Sequence, residues 1–174
     1  MKKEYCCEKL QQWISDLRCP FYYEKDLRSY GVSAPDLLLK KNEVWPGYIV
    51  FYCPCCGAQF PADLIEKRIT ILQREYNIKD PYDEFQKRLI PQEFYTDTWW
   101  KQRGLQDKNE FKVSSAGKQH DCQYLGYALE DDTPLFFYDA LTNTYSISAP
   151  EYLLKGKKWP HYTFFFCPWC GGKL

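Results

Sequence analysis

The stretch YTFFFCPWCG at residues 162–171 decides the fold, and the stretch YIVFYCPCCG at residues 48–57 repeats its pattern. Each is an aromatic and aliphatic run followed by a Cys-Pro-x-Cys-Gly turn. The run predicts a buried strand. The two thiolates of the turn lie close enough in sequence to reach one metal ion, and the proline presets the backbone of the turn. Two such turns predict two metal-binding knuckles.

A Cys-x-x-Cys pair can also be a redox dithiol, so the residues around the motif matter. A thioredoxin-like motif opens a helix within a βαβ unit. Here the first turn is followed by Ala58-Gln59-Phe60-Pro61 and the second by Gly172-Lys173-Leu174, neither of which begins a helix. The context favours metal binding over redox chemistry.

The composition describes a charge-balanced, aromatic-rich chain. Among its 174 residues, Lys+Arg and Asp+Glu both number 23, and aromatic residues make up 18%. Zero net charge argues against a general nucleic-acid or membrane-surface binder. The N-terminal sequence has no signal-peptide pattern and no run is long enough to span a membrane, so we expect a cytoplasmic protein. In that compartment nine cysteines serve metal rather than disulfides.

The chain matches itself at an offset of 115 residues, and at 114 after one gap. The pattern predicts a duplicated module. We therefore expect a first zinc module at 1–60, a helical connector and linker at 61–119, and a second zinc module at 120–174. The matched residues include Cys7 with Cys122, Asp16 with Asp131, Ser33-Ala34-Pro35 with Ser148-Ala149-Pro150, Trp45-Pro46 with Trp159-Pro160, Cys53 with Cys167 and Cys56 with Cys170.

Each module has the sequence pattern of one helix followed by short strands. Leu10, Trp13, Ile14 and Leu17 follow the spacing of one helix face. Strand candidates lie at 21–23 and 30–32, and again at 136–138 and 145–147, before the strand that leads to each knuckle. We expect an α+β protein of two zinc-ribbon or treble-clef-like modules joined by a helical segment. A core this small is expected to need stabilisation by a bound metal ion.

Structural zinc takes four ligands. The second module has only three matching cysteines, so its site needs a fourth ligand. His120 is preferred over Asp121 for that position because carboxylates are less usual in structural sites. Cys19 and Cys55 are left over and are expected to be small buried hydrophobic residues. One site shared by both knuckles, from Cys53, Cys56, Cys167 and Cys170, is the rival arrangement. The two predicted sets are Cys6, Cys7, Cys53 and Cys56, and His120, Cys122, Cys167 and Cys170.

The segment between the modules carries a second set of aromatic residues. A helix begins after Pro61-Ala62-Asp63. Further on, the pair Trp99-Trp100 is either an anchor for a protein partner or the edge of a core. Polar residues from about Gly104 to Lys118 indicate a linker.

These motifs together resemble an uncharacterised bacterial and phage domain family, and the resemblance covers most of the chain. The family pattern has a Cys-Cys pair near its start, a Cys-Pro-Trp-Cys-Gly-x-x-Leu-Pro knuckle, and an Ile-Pro-x-x-Phe…Trp-Trp tail. The chain departs from it at Cys55 in place of Trp, at Phe60 in place of Leu, and at His120-Asp121-Cys122 in the second copy. The resemblance implies zinc binding and supplies no activity. The matching residues are Cys6-Cys7, Cys53-Pro54, Cys56-Gly57, Pro61, Ile90-Pro91, Phe94 and Trp99-Trp100.

No phosphate loop, HExxH motif or serine elbow is present in the sequence. A zinc ion with four protein ligands has no position for a reactive water, so we expect no enzymatic activity. By analogy with small neutral bacterial proteins, we expect a protein-binding protein, an immunity protein that neutralises a toxin domain. The alternative is a zinc-ribbon nucleic-acid-binding or regulatory protein. A third class is a redox or metal-handling enzyme that uses Cys55 or Cys19.

Overall fold

The computed structural model describes residues 5–40, 45, 47–105, 111, 120, 122–131 and 135–174. Within these ranges the chain is mixed α+β, as the sequence predicted. The helices are α1 (Glu8–Ser15), α2 (Ile65–Tyr76), α3 (Thr98–Gln102), α4 (Tyr124–Leu129) and α5 (Glu151–Leu154). The strands are β1 (Phe21–Glu24), β2 (Ser29–Val32), β3 (Tyr48–Val50), β4 (Phe136–Asp139), β5 (Thr144–Ile147) and β6 (Tyr162–Phe164). Short 3-10 turns lie at Asp36–Leu38, Gln86–Leu89 and Gln92–Tyr95.

The strands form two three-stranded sheets, in the orders β1-β2-β3 and β4-β5-β6. The last two strands of each sheet are antiparallel and share a register. Tyr30 lies opposite Val50 in the first sheet, and Tyr145 lies opposite Phe164 in the second. These pairs occupy corresponding positions in the two halves of the sequence. Each sheet therefore presents its last strand, and the knuckle that follows it, in the same way.

Helix α1 is shorter than the hydrophobic spacing predicted. Leu10 and Trp13 are buried as expected, but the helix ends at Ser15 and Leu17 is exposed. The carboxylate of Asp16 accepts hydrogen bonds from the backbone N–H of Arg18 and from the hydroxyl of Tyr162. Local bonds of this kind compete with the helical ladder and favour a turn. Leu17 therefore falls outside the buried face.

The chain divides into two compact units. The first comprises Met1–Tyr22, Tyr30–Phe60 and Phe111–Leu174, and it contains both knuckles. The second comprises Tyr23–Ser29 and Pro61–Glu110, so it includes the turn that joins β1 to β2. The sequence boundaries at residues 60 and 119 stay a prediction. Most of the linker expected from about Gly104 to Lys118 lies outside the described residues, as does Asp121.

The second unit has a core built around aromatic residues. The rings of Phe94 and Trp99 stack with centroids 5.2 Å apart. The indole N–H of Trp99 donates to the carbonyl oxygen of Asp26 at 2.7 Å, and that of Trp100 donates to the carbonyl oxygen of Lys25 at 2.9 Å. The buried members of this core are Leu64, Leu72, Ile78, Ile90, Phe94, Trp99 and Trp100.

The expectation that Trp99 and Trp100 are exposed partner anchors is wrong. Trp99 is 0% exposed and Trp100 is 7% exposed. Tryptophan removes the most apolar area from water when buried, and here each N–H finds a carbonyl inside the protein. The other interpretation of this pair, as part of a core, agrees with the structure. Among the described helices, none has both the length and the apolar character needed to cross a bilayer.

We predict that Trp99→Ala destabilises the protein by about 3–5 kcal/mol, because it removes a buried indole and leaves a cavity. Tyr82→Ala is the matched control, since Tyr82 belongs to the same unit and is 65% exposed. Urea unfolding measures the difference. Equal stabilities of the two variants would contradict the burial of Trp99.

Candidate metal centres

The first knuckle is a tight turn after β3 that places two thiols side by side. The backbone N–H of Gly57 donates to the carbonyl of Cys53, and the N–H of Cys53 donates to the carbonyl of Ala58, both at 2.8 Å. Gly57 has a φ of 72°, in the left-handed region that glycine adopts without strain. Cys53 is fully buried and Cys56 is half-buried. The turn thus holds both thiols in a fixed position.

The other two thiols of this cluster come from the start of α1. Cys7 is the residue that precedes the helix and has an extended backbone. Its sulfur lies 3.8 Å from that of Cys53, and the sulfurs of Cys6 and Cys56 are 3.5 Å apart. The helix N-terminus carries a partial positive charge that favours thiolates. The four sulfurs all lie within 4.8 Å of one another.

The second cluster has one imidazole in place of a thiol. His120 Nε2 lies 3.6 Å from the sulfur of Cys122, which lies 3.3 Å from the sulfur of Cys167. Cys170 completes the set, and its sulfur accepts a hydrogen bond from the N–H of Gly172 at 3.4 Å. The knuckle is closed as in the first module, because the N–H of Gly171 donates to the carbonyl of Cys167 at 2.9 Å. All four ligand atoms again lie within 4.8 Å of one another.

The structure therefore brings together the two sets of four residues that the sequence analysis named. Each set can hold one metal ion, so the chain has room for two. The ligand role of the individual residues stays a prediction. Cys53 and Cys56 lie with Cys6 and Cys7, not with the second knuckle, so the arrangement with one shared site is not the one observed.

The electrostatics of the first cluster explain why a cation suits it. Hydrogen bonds with Cys53 and Cys56, followed by burial, raise the pKa of the Cys6 thiol far above its usual value. Hydrogen bonds from Cys55, Cys56 and Cys6 lower the pKa of Cys53. One thiolate is thus stabilised by its protonated neighbours, and full ionisation of the cluster requires a positive charge at its centre. Metal ions supply that charge and displace the protons.

The two remaining cysteines differ from each other. Cys19 is buried, and burial raises the pKa of its thiol to about 12, which fits the expected inert hydrophobic residue. Cys55 is only half-buried, and a hydrogen bond with Cys53 is the main cause of its raised pKa. Cys55 is thus a fifth sulfur beside the first cluster. The position of Cys55 between Cys53 and Cys56 could have indicated that its sulfur lies near the cluster. The repeat alignment argued against a ligand role, because Trp169 occupies the matching position in the second knuckle.

The two knuckles also bind each other, which the sequence did not reveal. The carbonyl of Pro168 accepts hydrogen bonds from the N–H groups of Phe51 and Tyr52 at 2.9 and 2.8 Å. In the opposite direction, the carbonyl of Pro54 accepts from the N–H groups of Phe165 and Phe166 at 2.9 and 3.1 Å. Each knuckle therefore satisfies the backbone of the strand that leads into the other one.

Side chains repeat this reciprocal pattern. The hydroxyl of Tyr162 donates to the carboxylate of Asp16 at 2.7 Å, and the hydroxyl of Tyr48 donates to the carboxylate of Asp131. Burial raises the pKa of Tyr48 to about 12, so the phenol stays protonated as the donor near neutral pH. The two pairs occupy corresponding positions in the two halves of the sequence.

Each knuckle glycine faces an aromatic ring that precedes the other knuckle in the sequence. A Cβ added to Gly171 would lie 2.4 Å from the ring of Tyr52, and one added to Gly57 would lie 2.7 Å from the ring of Phe166. No real side chain tolerates these distances. The missing side chains of Gly57 and Gly171 therefore allow the close approach of the two knuckles.

Comparison with known proteins gave no match to any family model, to any curated protein or to any solved structure. The resemblance to the bacterial and phage domain family stays a prediction.

We predict that Gly171→Ala destabilises the protein by about 1–3 kcal/mol more than Gly156→Ala does. Both glycines have positive φ, at 69° and 81°. A Cβ at Gly156 has no atom within 4 Å, so that variant reports the cost of the backbone conformation alone. Urea unfolding of the metal-loaded proteins measures both. Similar losses in the two variants would argue against the close contact with Tyr52.

Proposed function

We propose that this protein is a non-enzymatic, zinc-stabilised binding protein whose partner is a protein, specifically a bacterial toxin domain that it neutralises. The observation that carries the proposal is the pair of closed four-ligand clusters. With all four ligands supplied by the chain, the metal would shape a surface and take no part in a reaction.

Zinc is the metal that best fits the donor atoms. Four thiolates, or three thiolates and one imidazole, are typical structural zinc sets. A zinc–sulfur bond of about 2.3 Å gives sulfur–sulfur edges of about 3.8 Å in a tetrahedron. The distances of 3.3, 3.5 and 3.8 Å between the clustered sulfurs lie close to that edge. Hard cations such as magnesium prefer oxygen ligands, of which neither set has any.

The position of the clusters supports a structural role. Each one joins the loop before a helix to the knuckle after the last strand of a sheet. The sheets have three short strands each and supply little core of their own. Metal binding would then contribute to folding free energy directly, as in other small zinc modules. We interpret the two halves as duplicated modules that have since diverged.

The divergence suggests where a partner binds. On α4 the exposed residues Tyr124 and Tyr127 are 64% and 63% exposed, whereas the matching positions of the first module hold Lys9 and Gln12. The ring of Tyr124 stacks on Trp169, with centroids 6.4 Å apart. Exposed tyrosines on a rigid support are typical of protein interfaces. Tyr124 and Tyr127 thus replace the buried Trp99-Trp100 pair as proposed anchors.

The immunity role rests on the analogy with other small, neutral bacterial proteins. A protein that blocks a toxin needs a surface that is already folded when the two proteins meet. Two structural metal ions would stabilise such a surface. The balanced charge supports a protein partner over nucleic acid.

We predict two zinc ions per purified chain by elemental analysis. Cys56→Ala and Cys170→Ala should each lower the content to one ion or less, because three protein ligands hold structural zinc far more weakly than four. Cys19→Ala and Cys55→Ala are the matched controls and should keep both ions. One zinc per chain in the parent protein would contradict two separate centres. A loss in Cys55→Ala equal to that in Cys56→Ala would mean that Cys55 is a ligand, and red iron-loaded protein would indicate a rubredoxin-like centre.

We predict that the double variant Tyr124→Ala/Tyr127→Ala binds its protein partner at least about tenfold more weakly, with unchanged zinc content and melting temperature. The partner is recovered by pull-down from the native host, its affinity is measured by calorimetry, and its toxicity is tested with and without co-expression. Tyr82→Ala/Phe85→Ala, also exposed, is the control. A recovered partner that is not toxic refutes the immunity role. Recovery of nucleic acid, with affinity that falls steeply as salt rises, supports the nucleic-acid alternative instead.

A further inference from the structure

The second module contains a cavity of about 320 Å³ that neither metal cluster nor the α4 tyrosines line. Two lysines, one histidine and one serine contribute its polar groups, and the other lining residues are apolar or aromatic. None of the described residues that line it carries a carboxylate. The residues that matter for its chemistry are Phe137, Leu154, Lys157, Lys158, Trp159 and His161.

The lysine side of the cavity is shaped by the end of α5. Lys155 follows the helix in the left-handed conformation, with φ at 48°, and the N–H of Lys157 donates to the carbonyl of Leu154 at 2.9 Å. This turn carries Lys157 and Lys158 into the lining. Trp159 comes next, and its indole N–H is bound to the carbonyl of Arg18 at 2.8 Å. The segment from Lys157 to Trp159 is therefore held by a hydrogen bond at each end.

The imidazole of His161 is held from two directions. Its Nδ1 lies 3.4 Å from the hydroxyl oxygen of Ser146, and its ring meets the ring of Phe137 edge-on, with centroids 5.6 Å apart. Ser148, also in the lining, donates its hydroxyl to the carbonyl of Pro160 at 3.2 Å. These contacts place His161 in a defined orientation before any ligand arrives.

The corresponding place in the first module is built differently. Gly31 and Gly47 stand where the second module has Ser146 and His161. The ring of Tyr22 lies against both glycines, 2.4 Å from a Cβ placed on Gly31, with its hydroxyl 3.3 Å from one placed on Gly47. In sequence, the segment before Trp45 reads Lys40-Lys41-Asn42-Glu43-Val44, whereas the segment before Trp159 reads Lys155-Gly156-Lys157-Lys158. The serine hydroxyl and the imidazole at this place are therefore properties of the second module.

We propose that this cavity binds a small anion that carries a planar ring, of the class of a nucleoside monophosphate. Lysine ammonium groups are point charges that suit phosphate oxygens, and a protonated or neutral imidazole can donate a further hydrogen bond. Trp159 and Phe137 offer ring surfaces for a planar group beside the charge. The volume lies at the lower end of small-molecule pockets, which favours a ligand of this size over a larger cofactor.

The test is calorimetric titration of the full-length zinc-loaded protein with adenosine monophosphate, inorganic phosphate and adenosine. We expect binding of adenosine monophosphate that is at least about tenfold tighter than that of phosphate, and the weakest binding for adenosine. The double variant Lys157→Gln/Lys158→Gln should weaken binding of the monophosphate at least about tenfold. The substitution His161→Gly, which restores the residue of the first module, should also weaken it.

The variant Lys79→Gln/Lys87→Gln is the matched control, because it removes the same charge from two exposed positions outside the cavity. It should bind the monophosphate like the parent protein. Failure of the parent protein to bind the monophosphate at millimolar concentration overturns the proposal, as does an equal loss in the control. Tight binding of phosphate and monophosphate alike overturns the role of the ring. The result is independent of the toxin-partner proposal, since the parent protein is tested without any partner.

Discussion

The absence of a side chain at Gly57 and Gly171 is the constraint on which the first unit depends. A left-handed residue closes each knuckle, and an aromatic ring of the other module occupies the space where a Cβ would be. The same close approach brings the carbonyls of Pro54 and Pro168 within hydrogen-bonding distance of the N–H groups that follow β6 and β3. The same two knuckles hold Cys53 with Cys56 and Cys167 with Cys170, so the geometry of each cluster and the contact between the knuckles are set together.

This arrangement links the two clusters to one another although each has its own four candidate ligands. A knuckle that loses its shape presents a misplaced proline carbonyl to the strand that leads to the other knuckle. Metal binding at one cluster would therefore also stabilise the backbone beside the other. Mutual stabilisation of this kind matters for the two small sheets, because neither sheet has much apolar area to bury by itself.

The sequence was sufficient for features whose signals are local. The knuckles, the strands before them and the helix carrying Leu10 and Trp13 follow from turn chemistry and hydrophobic period, and the repeat allowed the four members of each cluster to be named. It was insufficient wherever a distant contact decides the outcome. The indole groups of Trp99 and Trp100 are buried because their N–H groups reach carbonyls more than 70 residues earlier, at Asp26 and Lys25. Cys55 was not expected near the metal cluster, because the alignment pairs it with Trp169 and carries no information on its distance from the other sulfurs.

Arg28 and Asn143 occupy the same position in the turns of the two hairpins, and both have left-handed backbones, with φ at 50° and 51°. Asparagine adopts this conformation readily, and its side-chain oxygen accepts the hydroxyl of Tyr138 only five residues away. Arginine has no such preference, and its guanidinium is satisfied by the carbonyls of Ala62 and of Leu105, the latter 77 residues away. The second hairpin is thus encoded within its own sequence, whereas completion of the first requires closure of a long loop with its larger entropic cost. Two modules of matching architecture can in this way differ in the order in which their parts form along the folding pathway.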